Sequence, residues 1–171
     1  EAVKDFQSVP GRFELIDEGQ SFAVVVDYAH TPDGLEKILG TAREITEGKI
    51  IAVFGCGGDR DRMKRPIMGS IAAEHADISI VTSDNPRTED PEKIIEDVVV
   101  GVEKVKKNKP DLYYEVIADR RQAIKRAVSL AKDDDIVIIA GKGHEDYQIL
   151  KDRTIHFDDR EEARNALKEV K

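Results

Sequence analysis

Four short runs rich in β-branched residues recur along this chain of 171 residues. They cover residues 49–54, 78–82, 113–117 and 136–140. The segments between them have the apolar spacing of amphipathic helices, and the alternation predicts βαβ units. Helices are thus predicted at 33–46, 66–75, 92–107, 120–131 and 159–168. Shorter strand pairs are predicted at 13–16 with 22–27 and at 148–150 with 154–157.

The runs at 50–54 and 136–140 contain no polar residue. Strands of this composition are covered by helices on both faces, as in parallel sheets. The sequence therefore predicts a doubly wound α/β fold of the Rossmann-like class, with a mostly parallel sheet and helices on both faces. Ligands of such sheets bind at the carboxyl ends of the strands, so the loops that follow the strands are the candidate sites.

The composition, 40% hydrophobic and 36% charged, fits one globular domain. The formal charge of -8 at pH 7 opposes binding to nucleic acid and to anionic lipid. No stretch approaches the roughly 20 apolar residues that span a bilayer. The one cysteine, Cys56, has no partner for an internal disulfide. We therefore expect a cytoplasmic protein without nucleic-acid or membrane partners.

The chain begins at Glu1 rather than at a methionine, and its first ten residues have the composition of a connector. We expect an interdomain connector at 1–10 and one domain at 11–171, as part of a longer protein. The chain contains no G-x-x-x-x-G-K-[ST] phosphate loop, and the glycines at 55–58 do not form a dinucleotide fingerprint. A complete phosphate cradle for ATP is therefore not expected here.

Two of the loops combine charge with a strand end or a helix start. Asp27 ends a strand, where it can accept from the hydroxyls of a ribose or brace the turn together with His30; the local sequence leaves both open. The glycine-rich loop 55–66 concentrates four cations, a set that suits a carboxylate or a phosphate. These cations are Arg60, Arg62, Lys64 and Arg65. Alternatively, two or three of them are surface charges paired with Asp59 and Asp61.

The loop at 84–91 holds an acid, an amide and a guanidinium, in Asp84, Asn85 and Arg87. This set suits an amino acid, because arginine grips a carboxylate through two hydrogen bonds and an acid accepts from an ammonium group. The alternative is an Asx-Pro turn before a helix capped by Asp90, which leaves Arg87 unexplained.

The loop at 141–145 follows the most apolar strand. Gly141 and Gly143 allow close backbone approach, and Glu145 could accept from a ligand ammonium group. A metal site is not expected, because His144 and Glu145 are adjacent and point apart. The segments 118–120 and 158–161 are predicted to be helix caps, the second with an exposed helix start.

Five segments, in this order and spacing, resemble those of the Mur ligases. They are Gly11-Arg12-Phe13-Glu14, Asp27-Tyr28-Ala29-His30-Thr31-Pro32, Gly57-Gly58-Asp59-Arg60-Asp61 with Lys64-Arg65-Pro66, Asp84-Asn85-Pro86-Arg87 and Gly141-Lys142-Gly143-His144-Glu145. The resemblance covers essentially the whole chain as the C-terminal domain of such a ligase. It is greatest to the members that add meso-diaminopimelate.

The resemblance implies amide formation in peptidoglycan biosynthesis. ATP would phosphorylate the D-glutamyl carboxylate of a UDP-N-acetylmuramoyl-dipeptide, and the incoming amine would displace phosphate. It further implies that the P-loop, the Mg²⁺ ligands and a carbamylated lysine belong to a central domain, and that the UDP end is held mainly by the first domain. ATP and Mg²⁺ would thus be bound mainly by segments that this sequence does not contain, and the chain alone would be inactive.

Position by position, the resemblance implies roles for nine residues. Arg12 would reach an ATP phosphate, and Asp27 would bind the ribose. The residues implied for meso-diaminopimelate are Arg60, Asp84, Asn85, Pro86, Arg87, Gly141 and Glu145. Within this set, Arg87 and Asn85 would hold the distal carboxylate of the amino acid. Glu145 and the Gly141 carbonyl would hold its distal amino group.

Arg87 also favours diaminopimelate over lysine, because lysine has no distal carboxylate and would leave the guanidinium without a partner. A neighbouring acid could neutralise Arg87 and leave room for lysine, so a lysine-adding homologue stays open. A folylpolyglutamate synthetase-like ligase is a further alternative. A hypothesis that assigns the chain to a different class of protein is a stand-alone nucleotide-binding or protein-interaction module.

Overall fold

The computed structural model describes residues 9–170. Its strands are β1 (Glu14–Leu15), β2 (Ala23–Asp27), β3 (Ile50–Phe54), β4 (Ile78–Val81), β5 (Tyr113–Val116), β6 (Ile136–Ala140), β7 (Tyr147–Ile149) and β8 (Thr154–His156). Its helices are α1 (Pro32–Ile45), α2 (Lys64–His75), α3 (Pro91–Lys106), α4 (Arg120–Leu130) and α5 (Asp159–Glu169). Every predicted strand and helix is present. The predicted connector at 1–10 lies almost entirely outside the described residues.

Six of the strands form one sheet in the order β1-β2-β6-β3-β4-β5. β1 is antiparallel to β2, and the other neighbouring pairs are parallel. After β5 the chain returns across the sheet and inserts β6 between β2 and β3. The prediction of a mostly parallel sheet is confirmed.

The sheet separates two layers of apolar side chains. On one face α1, α2 and α3 pack against the strands, with Leu39 and Val98 in this layer. On the other face lie α4 and α5, with Ile124 and Leu167. Every residue of β3 and β6 is buried, because each of these strands is covered on both sides. The doubly wound arrangement is thereby confirmed.

The carboxyl ends of four strands lie at one edge of the sheet. Asp27 at the end of β2 pairs with Ala140 at the end of β6, and Phe54 at the end of β3 pairs with Val81 at the end of β4. The loops after β2, β3, β4 and β6 therefore leave the sheet side by side. These are the loops from which the site residues were predicted.

β7 and β8 form an antiparallel hairpin outside the main sheet. The hairpin lies against the loop after β4, where the Arg87 N–H donates to the Ile149 carbonyl at 3.0 Å. Between residues 9 and 170, no helix combines the length and the apolar character that crossing a membrane requires.

Candidate functional site

The loop after β4 is buried and held from two sides. The Gly58 N–H donates to the Asn85 carbonyl at 2.8 Å, and the Gln148 side-chain amide donates to the Asp84 carbonyl at 2.8 Å. Arg87 has a φ of 52°, in the left-handed region that few residues other than glycine adopt. Such a conformation persists only where the surroundings fix it, as the contacts of this loop do.

The glycine-rich loop after β3 packs directly on this segment. A side chain at Gly58 would collide with the Pro86 carbonyl oxygen. Arg87 Nη1 donates to the Gly58 carbonyl at 2.9 Å. A Cβ at Gly57 would lie 2.9 Å from Arg87 Nη1 and 3.6 Å from Arg60 Cγ. The side chains of Arg60 and Arg87, both predicted to bind the amino acid, therefore lie close to the same glycine.

The loop after β6 completes the group. Gly141 has a φ of 122°, and a Cβ there would lie 2.6 Å from Asp84 Oδ2, so the two loops approach closely. Lys142 is fully buried, and its Nζ donates to Asn85 Oδ1 at 3.1 Å and to Glu145 Oε2 at 3.3 Å. Asn85 Nδ2 donates to the same Glu145 oxygen at 3.3 Å. Side chains thus join the loops after β4 and β6.

Donors and acceptors for a charged ligand are consequently adjacent at this edge. Arg87 and the Asn85 amide can donate, whereas Glu145 can accept. The negative charge of Glu145 raises the pKa of Tyr147, burial adds to the effect and Arg87 opposes it, so Tyr147 lies within the electrostatic reach of both charges. A ligand end that carries both a carboxylate and an ammonium group matches this arrangement.

Asp27 braces the backbone at the end of β2. Its Oδ2 accepts from the Phe13 N–H at 2.7 Å, and its Oδ1 accepts from the Ala29 N–H at 2.8 Å. The bracing role is confirmed, while the ribose role stays a prediction, for which each oxygen retains acceptor capacity. Arg12 is exposed and directly precedes Phe13. Asp27 therefore fixes the turn that carries Arg12.

This turn also contacts the loop after β6. Gly11 has a φ of 73°, and a side chain there would collide with the backbone of Gly143 and His144. The ring of Tyr28 lies 5.3 Å from that of His144, measured between centroids. The two residues predicted for ATP and those predicted for the amino acid accordingly share one edge of the sheet.

The structure contradicts the interpretation of Arg65 as a possible surface charge. It is fully buried and pairs with Glu89 at 2.8 Å and with Asp97 at 3.0 Å. Arg62 also pairs with Asp97, at 3.1 Å. The predicted pairing of these cations with Asp59 and Asp61 was wrong, because α3 and the residues before it bring closer carboxylates.

Sequence reasoning missed Arg120 and Asp159. The segment 118–120 was interpreted as a helix cap and 158–161 as a cap with an exposed helix start. Asp119 and Asp158 do cap α4 and α5, but Arg120 and Asp159 are fully buried and paired with each other at 2.7 Å. A signal was available, since each occupies the first position of its helix's buried i, i+3, i+4, i+7 stripe.

Lys142 was quoted within its motif but was given no role. Its burial beside Asn85 and Glu145 could not be predicted from the local sequence, where it is a lysine between two glycines. Most lysines of such loops are exposed, because burial of the ammonium group is costly without partners. One partner, Glu145, is local, but the other, Asn85, lies 57 residues away in the sequence.

The described residues give no support to metal binding or to chemistry at the cysteine. Among residues 9–170, no three or more His, Cys, Asp or Glu side chains are grouped closely enough to hold a metal ion. Cys56 is buried beside Met68, and burial raises the pKa of its thiol to about 12. A thiol with this pKa is protonated at neutral pH and is a poor nucleophile or ligand.

The chain is similar to known ligases. A 56% identical relative from Clostridium botulinum and a 59% identical one from Thermosynechococcus vestitus are both UDP-N-acetylmuramoyl-L-alanyl-D-glutamate--2,6-diaminopimelate ligases. The matches cover 99% and 98% of this chain but 34% and 33% of the relatives. The chain thus spans about a third of the length of the curated relatives it matches.

Solved structures agree with the assignment of the fold. A structure of UDP-N-acetylmuramoyl-L-alanyl-D-glutamate--2,6-diaminopimelate ligase superposes with a TM-score of 0.86 at 45% identity, over 96% of this chain and 33% of that one. E. coli FolC in complex with ADP matches with a TM-score of 0.57 at 23% identity, over 80% of this chain and 29% of that one, which shows a shared fold alone. The family model "Mur ligase, glutamate ligase domain" matches residues 11–143, well over half of the chain. The chain therefore belongs to the Mur ligase family, through its glutamate ligase domain.

Proposed function

We propose that this chain is the C-terminal, amino-acid-binding domain of an ATP-dependent ligase that adds meso-diaminopimelate to UDP-N-acetylmuramoyl-L-alanyl-D-glutamate. The observation that carries the proposal is that Asn85, Arg87 and Glu145 lie together at one sheet edge. They come from two loops that are distant in sequence, since Asn85 and Glu145 are 60 residues apart. The names of the relatives supply the reaction. A place in cytoplasmic peptidoglycan synthesis belongs to the same proposal.

Diaminopimelate has an amino and a carboxyl group at each end, and one end must be held while the other reacts. We assign the non-reacting end to this site. Its carboxylate is bound by the Arg87 guanidinium and by the second N–H of the Asn85 amide. Its ammonium group is bound by Glu145 and by the Gly141 carbonyl. Arg60, whose side chain also lies near Gly57, contacts another part of the same amino acid, and Asp84 and Pro86 shape the loop.

The same arrangement disfavours lysine. Lysine brings the ammonium group but no carboxylate, so the donors of the partly buried Arg87 and the buried Asn85 lose their ligand partner. Sites built to pair with a polar group reject analogues that lack it by up to roughly 10⁴-fold. Within residues 9–170, no carboxylate forms an ion pair with Arg87, which argues against internal neutralisation of its charge.

The nucleotide is assigned in part to this chain. Arg12 and Asp27 lie on one turn that adjoins the amino-acid loops, which fits contacts to an ATP phosphate and to the ribose once the rest of the ligase closes on them. The sequence contains no P-loop, and the described residues offer no metal cluster. ATP and Mg²⁺ are therefore assigned mainly to the two thirds of the relatives that this chain does not match. The chain alone is expected to be inactive.

The direct test uses the full-length ligase that contains this chain. We expect kcat/KM for meso-diaminopimelate to exceed that for L-lysine by a factor on the order of 10³ to 10⁴. Equal use of the two amino acids would contradict the diaminopimelate assignment. ATP consumption that requires neither amino acid nor the UDP-linked dipeptide would contradict the ligase assignment.

A further inference from the structure

Lys142 is the most unusual charged residue of the site. Its side chain is fully buried, yet its ammonium group lies against a loop whose ligands would themselves be charged. A lysine is seldom buried without a specific set of partners, because its charge loses hydration. The partners here are Asn85 Oδ1 at 3.1 Å, Glu145 Oε2 at 3.3 Å and the ring of Tyr147, whose centroid is 5.5 Å from Nζ.

The first consequence concerns the orientation of the Asn85 amide. Its Oδ1 accepts from Lys142 Nζ and also from the Ile149 N–H, at 2.9 Å. Both partners can only donate, so the oxygen must face them and the NH₂ group must face the opposite way. The NH₂ group then gives one hydrogen to Glu145 and has the second left for a ligand. Lys142 and the Ile149 N–H thereby together keep Asn85 a donor toward the ligand.

The second consequence concerns Glu145. Its Oε2 accepts from both Lys142 and Asn85, which fixes the side chain and leaves Oε1 without a hydrogen bond to any residue in the range 9–170. Oε1 is thus the oxygen that faces a ligand ammonium group. The ammonium of Lys142 also offsets the negative charge of Glu145, since the two groups are in contact.

From these contacts we infer that Lys142 is a positioning and specificity-determining residue, which makes the site select an amino-acid end carrying both a carboxylate and an ammonium group over an end carrying an ammonium group alone. This inference rests on the proposed function. With Lys142 present, the contributions of Lys142 and Glu145 cancel, and Arg87 remains to attract a carboxylate. Without Lys142, Glu145 is uncompensated, and the Ile149 N–H is the one remaining donor among residues 9–170 that holds the Asn85 oxygen away from the ligand. Both changes favour a cation and disfavour a carboxylate.

The experiment compares Lys142→Met with Lys142→Gln in the full-length ligase. Methionine has similar length and suits a buried position, but it supplies neither the charge nor the hydrogen bonds. Glutamine removes the charge and keeps a donor for Asn85 or Glu145. The readout is the ratio of kcat/KM for meso-diaminopimelate to kcat/KM for L-lysine. Both values come from one preparation, so the fraction of active enzyme cancels in the ratio.

We expect the ratio to fall by at least tenfold in Lys142→Met and by a smaller factor in Lys142→Gln. KM for meso-diaminopimelate should rise, while KM for ATP should stay within twofold. Lys109→Met is the matched control, because it removes a lysine whose Nζ bonds a backbone carbonyl, that of Ala73 at 3.3 Å, far from the site loops in the fold. Its ratio should equal that of the unchanged enzyme.

The outcomes separate the inference from the proposed function. A parent enzyme that uses meso-diaminopimelate, combined with an unchanged ratio in Lys142→Met, overturns the inference and leaves the proposed function standing. Equal rises of KM for ATP and for meso-diaminopimelate also overturn it, because they indicate a general structural role. A parent enzyme that does not use meso-diaminopimelate removes the proposed function itself.

Discussion

The guanidinium of Arg120 donates two hydrogen bonds to the carboxylate of Asp159, at 2.8 and 2.7 Å, with both side chains fully buried. The same guanidinium donates to the Ser83 carbonyl at 3.0 Å and to the Ala140 carbonyl at 3.1 Å. These carbonyls directly precede Asp84 and Gly141. The pair thus links α4 and α5 to the two loops that carry the candidate site. These two helices lie on the face of the sheet that is opposite to α1, α2 and α3.

Arg120→Ala is expected to lower the free energy of unfolding by about 3–5 kcal/mol, because it leaves the Asp159 carboxylate buried without its partner. Urea denaturation of the chain measures this. Lys93→Ala is the control, since Lys93 pairs with Glu96 at 3.1 Å and the two side chains are 68% and 63% exposed, and loss of such a surface pair has little effect on stability. Equal costs for the two variants would contradict the structural role of Arg120.

The Arg65–Glu89 pair should make stability depend on pH. The pKa of Glu89 is lowered from 4.5 to about 2. The hydrogen bonds that Arg65 donates are the largest cause, and the hydrogen bond from the Asp59 N–H is the second. The folded carboxyl group therefore holds its proton less tightly than the unfolded one, and the stabilisation is present above pH 4.5 and is lost as the pH falls toward 2.

Glu89→Gln removes this titration, so its free energy of unfolding should change less between pH 5 and pH 2 than that of the unchanged chain. Unfolding midpoints in urea at several pH values provide the measurement. Glu44→Gln, at an exposed position of α1, is the control and should keep the original pH dependence. If Glu89→Gln kept it too, Glu89 would not be a source of acid lability.

Gly141→Ala should impair the site as well as the fold. The φ of 122° strains any residue with a side chain, and the added Cβ would lie 2.6 Å from Asp84 Oδ2. We expect a loss of stability of about 1 kcal/mol or more and a rise in KM for meso-diaminopimelate of at least tenfold in the full-length ligase. Thermal unfolding and steady-state kinetics check the two parts.

Gly19→Ala separates strain from contact. Gly19 also has a positive φ, of 86°, but no atom lies within 4 Å of its added Cβ. It should lose stability without a change in KM. Should Gly19→Ala raise KM as much as Gly141→Ala, the approach of the loops after β4 and β6 would have no specific part in binding.

Arg87→Ala and Asp27→Ala should affect different substrates. Removal of the Arg87 guanidinium takes away the group that we propose as the partner of the distal carboxylate, so KM for meso-diaminopimelate should rise at least tenfold and KM for ATP little. Asp27→Ala should do the reverse, because Asp27 lies on the turn assigned to the nucleotide. Steady-state kinetics with each substrate varied in turn would reveal the contrast, and equal effects of both variants on both substrates would refute the division of roles.

The sequence predicted the main features of the fold because periodicity and helix signals were both strong. Ile136–Ala140 has no polar residue, which identified a strand covered on both faces. Thr31 and Asp90, each followed by a proline, identified the starts of α1 and α3. The order of strands in the sheet was not predicted, because the insertion of β6 between β2 and β3 depends on contacts between distant segments.

The position of the candidate site residues at one sheet edge could be predicted where they follow strand ends, as Asp84 and Gly141 do. It was not predicted where a residue acts from beneath the loops. Lys142 and Arg120 are buried cations whose partners lie 57 and 39 residues away in sequence, in Asn85 and Asp159. From the local sequence, one of these residues is a lysine in a loop and the other is an arginine at the start of a helix. Their distant partners become apparent only in the folded structure.

The most direct test of the account is a crystal structure of the full-length ligase with meso-diaminopimelate bound. We predict that the distal carboxylate lies within hydrogen-bond distance of the Arg87 guanidinium and Asn85 Nδ2, at about 2.7–3.2 Å, and that the distal ammonium group contacts Glu145 Oε1. A distal end bound away from the loops after β4 and β6, with Arg87 still donating to the Gly58 carbonyl, would contradict the assignment of this site.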